Sequence, residues 1–69
     1  MTKTEILTLA SNAETIGQYE EAGVLWLISE NGGFDLTIQN INIAVDADGI
    51  DRTELAKYIG ELKSKYENQ

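Results

Sequence analysis

Apolar and polar residues alternate cleanly along one stretch, Phe34-Asp35-Leu36-Thr37-Ile38-Gln39-Asn40-Ile41-Asn42-Ile43-Ala44-Val45. The alternation changes phase once, between Ile38 and Ile41. A two-residue turn at Gln39-Asn40 explains the change with no residue left over. Ile38 then faces Ile41, Leu36 faces Ile43 and Phe34 faces Val45, all on one side, while Asp35, Thr37, Asn42 and Ala44 take the other. The pattern predicts a short antiparallel β-hairpin. Its turn chemistry is imperfect, because a type I′ turn wants positive φ at both positions, which suits Asn40 and not Gln39. One long strand with a bulge at Gln39-Asn40 is the alternative.

The flanks read as helices. Thr2-Lys3-Thr4-Glu5 has the spacing of a capping box, and Ile6, Leu9, Ala10, Ala13 and Ile16 follow at helical intervals. Gly17-Gln18 marks a break, since glycine suits a helix C-terminus. Glu20 and Glu21 then favour a helix start, and Asn31-Gly32-Gly33 its end. The stretch from Ala13 to Ala22 resembles the turn of a tetratricopeptide-type helical hairpin. With one unit present, the resemblance implies the αα-hairpin geometry and no family membership. A rival reading makes Val24 to Glu30 a strand, because five consecutive apolar residues suit a buried helix or a buried strand and Asn31-Gly32 is a hairpin signal. At the C-terminal end, Asp51 can cap a helix, with Glu54 at capping-box spacing and Ile50 with Leu55 as the hydrophobic staple. Leu55, Tyr58, Ile59, Leu62 and Tyr66 form its apolar stripe, and Asp46-Ala47-Asp48-Gly49 before it is a turn.

These elements predict a single α+β domain over residues 1–69: an N-terminal helical hairpin, a short β-hairpin, then an amphipathic C-terminal helix. The alternative order is helix, three-stranded meander, helix. A chain of 69 residues buries only about 60% of its unfolded surface. It has no cysteine, so no disulfide or thiolate metal site strengthens it, and no proline.

Composition narrows the chemistry. Histidine is absent, which removes the usual neutral-pH base and the commonest metal ligand. No Ser/His/Asp, Cys/His or lysine-based constellation can be completed, so no catalytic residue is assigned and an enzyme is not expected. Registering Asp48-Gly49 on positions five and six of a calcium loop puts Ala44 at the first position and Leu55 at the last, so both anchoring ligands fail. Gly32-Gly33 belongs to no phosphate-loop pattern. Neither a metal nor a cofactor is expected.

Charge changes the picture most. The net charge is −7. Residues 1–50 carry Glu5, Glu14, Glu20, Glu21, Glu30, Asp35, Asp46 and Asp48 against Lys3 alone, while acids and bases cancel in residues 51–69. Such a surface repels phosphate backbones and anionic lipid, so direct nucleic-acid or membrane binding is not expected. It favours a basic protein partner, and the residues expected to meet it are Glu20, Glu21, Glu30, Asp35, Asp46 and Asp48. The expectation is a small non-enzymatic inhibitor or regulator of a basic, nucleic-acid-handling protein. In size and charge, though in no motif, the chain is similar to phage-encoded DNA mimics and anti-CRISPR proteins. The alternative is a structural or assembly subunit, a homodimer or accessory chain, joined through an apolar face centred on Trp26. A DNA-binding regulator is disfavoured, because Arg52, Lys57, Lys63 and Lys65 alternate with acids. With no export signal or apolar span, the cytoplasm is the expected compartment.

Overall fold

The computed structural model describes residues 1–44 and 51–67, and all of the regular structure there is helical. The helices are α1 (Lys3–Thr15), α2 (Tyr19–Glu30), α3 (Phe34–Gln39), α4 (Ile41–Ala44) and α5 (Arg52–Glu67). The α1–α2 hairpin and the C-terminal helix therefore form where the periodicity places them. The β-hairpin does not. The expected α+β architecture is corrected to an all-helical one, and the three-stranded alternative fails with it, because Val24 to Glu30 lies within α2.

The first helix starts as its capping box dictates. The Thr2 hydroxyl accepts from Glu5 N at 3.2 Å, and the Glu5 carboxylate accepts from Thr2 N at 3.0 Å. Those bonds, the backbone one foremost, lower the Glu5 pKa below 4.5. Gly17 ends the helix at φ 83°. Its N–H bonds Glu14 O at 3.1 Å and that of Gln18 bonds Ala13 O at 2.8 Å, the paired bonds of a Schellman motif. The end of α2 repeats the device: Gly32 stands at φ 90°, and Gly33 N reaches back to Ile28 O at 3.0 Å. Asp51 opens α5 by accepting from Thr53 N at 3.0 Å and Glu54 N at 3.2 Å. Ile50 of the expected staple, the Asp46–Gly49 turn and Val45 lie outside the described residues.

Residues 34–44 fold as helix for a reason visible in the same residues. Phe34, Thr37, Ile38 and Ile41 also recur at i, i+3, i+4 and i+7, the spacing of one helix face. Phe34 and Thr37 are buried, and Ile38 and Ile41 pack against the core. Leu36, which the hairpin would turn inward, is 48% exposed; Thr37, which it would turn outward, is fully buried. The buried Thr37 hydroxyl donates to Gly33 O at 2.7 Å within its own helix, so it needs no partner strand. Asn40 has φ −109°, so the positive φ of a type I′ turn is not taken up there. Instead it ends α3 as a cap, its side-chain amide donating to Leu36 O at 3.0 Å. A two-stranded hairpin is at best marginal alone in water, whereas a helix satisfies its own backbone and still buries Phe34.

The core comprises Ile6, Ala10 and Ala13 from α1, Ala22, Leu25 and Ile28 from α2, Phe34 from α3, and Ile59 and Leu62 from α5. α1 packs along α2, α3 bridges α2 and α5, and α4 touches α3 and α5. The radius of gyration, 11.3 Å, is close to the roughly 11 Å of a compact domain this long.

Candidate functional site

The phase of α2 divides the carboxylates of the N-terminal half. Leu25 and Ile28 are fully buried and Ala22 nearly so, which turns Glu21 and Ser29 inward with them. Glu21 is 7% exposed and accepts from the Lys65 ammonium of α5 at 2.9 Å. That bond, and then one to Tyr66, raise the Lys65 pKa. The Lys65 ammonium also stands 5.1 Å from the Tyr66 ring centroid, a cation–π contact. Asp35, in the first turn of α3, stays open to solvent and accepts from Lys63 at 2.6 Å. That bond raises the Lys63 pKa. Two of the six carboxylates expected to meet a partner are thus engaged by α5. Glu20 and Glu30 are exposed and make no ion pair among the described residues. Asp46 and Asp48 lie outside those residues.

Glu20 belongs to a wider arrangement. It lines a groove of about 460 Å³ between α2 and α5, with Val24, Leu55 and Tyr58 as apolar walls and Asp51, Glu54, Lys57 and Glu61 around them. Four carboxylates therefore surround this groove against one lysine. Burial, and then the charges of Glu21 and Glu20, raise the Tyr58 phenol pKa above 10.0. The groove offers apolar surface for methylene stems and negative charge for the heads of lysine or arginine. Its carboxylates do not converge: among the described residues no group of three acidic side chains could hold a metal ion. Asp51, Glu54 and Glu61 were hidden in the sequence by the balanced charge of residues 51–69. Their helical spacing, read together with Glu20 at the start of α2, is the signal that would have found them.

Glu30 lies at the other end of α2, beside a smaller hollow of about 280 Å³ lined by Met1, Lys3, Ile6, Ser29, Gly32 and Gly33. Between the two hollows, the outer side of α2 carries exposed aromatics. Trp26 is 43% exposed and Tyr19 71%, and Ile16 in the preceding turn is 73% exposed. Exposed large apolar side chains are therefore not confined to Trp26, and Leu36 of α3 is a further one. No described helix is long and apolar enough to cross a membrane. Compared with protein-family models, characterised proteins and solved structures, the chain matches none.

Proposed function

We propose that this chain is a small non-enzymatic protein-binding module, an inhibitor or regulator acting in the cytoplasm on a basic, nucleic-acid-handling protein. The observation that carries the reading is the α2–α5 groove, where Glu20, Asp51, Glu54 and Glu61 surround the apolar surface of Val24, Leu55 and Tyr58. Carboxylates around apolar surface suit the long basic side chains that line nucleic-acid clefts. The uncompensated charge of the N-terminal half adds long-range attraction to such a partner. Affinity capture from a lysate of the source organism, at low and at high salt, tests the reading. The expected outcome is a basic protein held at low salt and released as salt rises. Glu54→Gln with Glu61→Gln should weaken the capture several-fold. Capture of no basic protein, or binding indifferent to salt, would sink it.

A second reading is favoured by the exposure of Ile16, Tyr19, Trp26 and Leu36. It makes the chain a structural or assembly subunit that joins copies of itself or a larger assembly through apolar contact. Sedimentation separates the two, since a homo-oligomer that persists at high salt belongs to the second.

A further inference from the structure

Tyr19, Gly23, Trp26 and Glu30 follow one another at i, i+4, i+7 and i+11 along α2. At 100° per residue they fall within an arc of roughly 60°, and all four are exposed. The glycine sits between the two aromatics, and a Cβ added there would meet nothing within 4 Å. The fold makes no use of that space, although glycine inside a helix is unfavourable relative to alanine. Tyr19 and Trp26 therefore stand on either side of open space along this face. Glu30 follows Trp26 by one turn at nearly the same angle, which sets a carboxylate on the same face, where it also borders the smaller hollow with Met1 and Lys3. A flat cation stacked on the Trp26 indole would have a carboxylate within one turn on the same face. The guanidinium group has that shape, stacks on aromatic faces and bonds carboxylates through two parallel N–H groups.

We infer that this face of α2 is a docking site for an arginine side chain of a basic partner, seated over Gly23 and stacked on Trp26. The inference rests on the reading that the partner is basic, and it names a surface separate from the α2–α5 groove. The two surfaces adjoin at the first turn of α2, where Tyr19 opens the face and Glu20 lines the groove. Charge argues against a second copy as the occupant, because a net charge of −7 on each chain sets Glu20 and Glu30 against like charges.

Titration of the isotope-labelled full chain with capped hexa-arginine and hexalysine peptides tests the inference by NMR. The arginine peptide should shift the Trp26 indole and Gly23 amide signals saturably and bind several-fold more tightly than the lysine peptide. Gly23→Ala should raise the melting temperature yet weaken arginine-peptide binding several-fold. Gly60→Ala, at another helical glycine with open space around it, should raise the melting temperature and leave binding unchanged. Glu30→Gln should reduce the preference for arginine. If signals move only around Leu55 and Tyr58 and Gly23→Ala has no effect on binding, the face is not used and the basic-partner reading stands without it. If no signal moves saturably, both fail. Trp26 shifts that depend on protein concentration without peptide would give the face to a second copy and overturn the inference.

Discussion

Glu21 and Asp35 each accept from a lysine of α5, and their surroundings make the two bonds unequal. The Glu21 side chain is 9% exposed and that of Asp35 70%. Removing Lys65 would leave a carboxylate shut in the protein without its cation, the costly way to break a pair. Removing Lys63 would leave a carboxylate that water already solvates, and exposed pairs contribute little. Lys65→Ala should therefore lower the melting temperature by several degrees in a circular-dichroism melt, while Lys63→Ala should leave it nearly unchanged. Equal shifts for the two variants would contradict the burial of Glu21. The pairing also refines the acidic surface expected from the chain: Glu20 stays open to solvent, while Glu21, its immediate neighbour, is committed to the fold. Nothing in the sequence separates these neighbours until the phase of α2 is known.

At the scale of elements, the helix ends were legible because they rest on local chemistry. Thr2 with Glu5, Gly17, Gly32 with Gly33, and Asp51 each act within a few residues of themselves. Two substitutions test how far that chemistry holds the elements. Gly32→Ala places a side chain at φ 90°, with its Cβ 2.8 Å from Leu36 Cδ1. Exposed Leu36 can swing away, but the left-handed backbone still costs about 1–2 kcal/mol. Gly60→Ala meets open space inside α5 and should stabilise by up to about 1 kcal/mol. Chemical denaturation should show midpoint shifts of opposite sign. Residues 34–44 were misread because Phe34, Ile38 and Ile41 satisfy two periods, an alternation with one change of phase and a helix repeat. Among the residues whose burial is described, Leu36 and Thr37 distinguish the two, and each contradicts its polarity: the leucine faces water and the threonine is buried. What decides is burial: as helix the stretch sets Phe34, Ile38 and Ile41 against the core, and the buried Thr37 hydroxyl finds its acceptor in Gly33 O. The candidate site was legible in the same measure. Trp26 stood out by its size, but its companions Tyr19 and Gly23 share a face only once 19–30 is known to be helix.

For the whole molecule, the core draws on four helices and has few large side chains. Among the described residues, three of the nine buried apolar ones are alanines, and Ile6, Leu25, Ile28 and Ile59 are the largest fully buried apolar side chains. Ile59→Ala should cost about 2–5 kcal/mol, against a total stability of roughly 3–10 kcal/mol for a domain this long. That variant is expected to have lost much of its helical circular dichroism at a temperature where the parent chain is fully folded. A variant that melts with the parent would show that α5 contributes little to the core. The connection of three residues between α1 and α2 has a consequence in time as well as in shape. Joining neighbouring helices closes a short loop and sacrifices little chain freedom. The Glu21–Lys65 bond spans 44 positions and must gather most of the chain before it returns anything. A folding route in which the hairpin zips up first and α5 arrives on a surface already made is the one that this spacing favours.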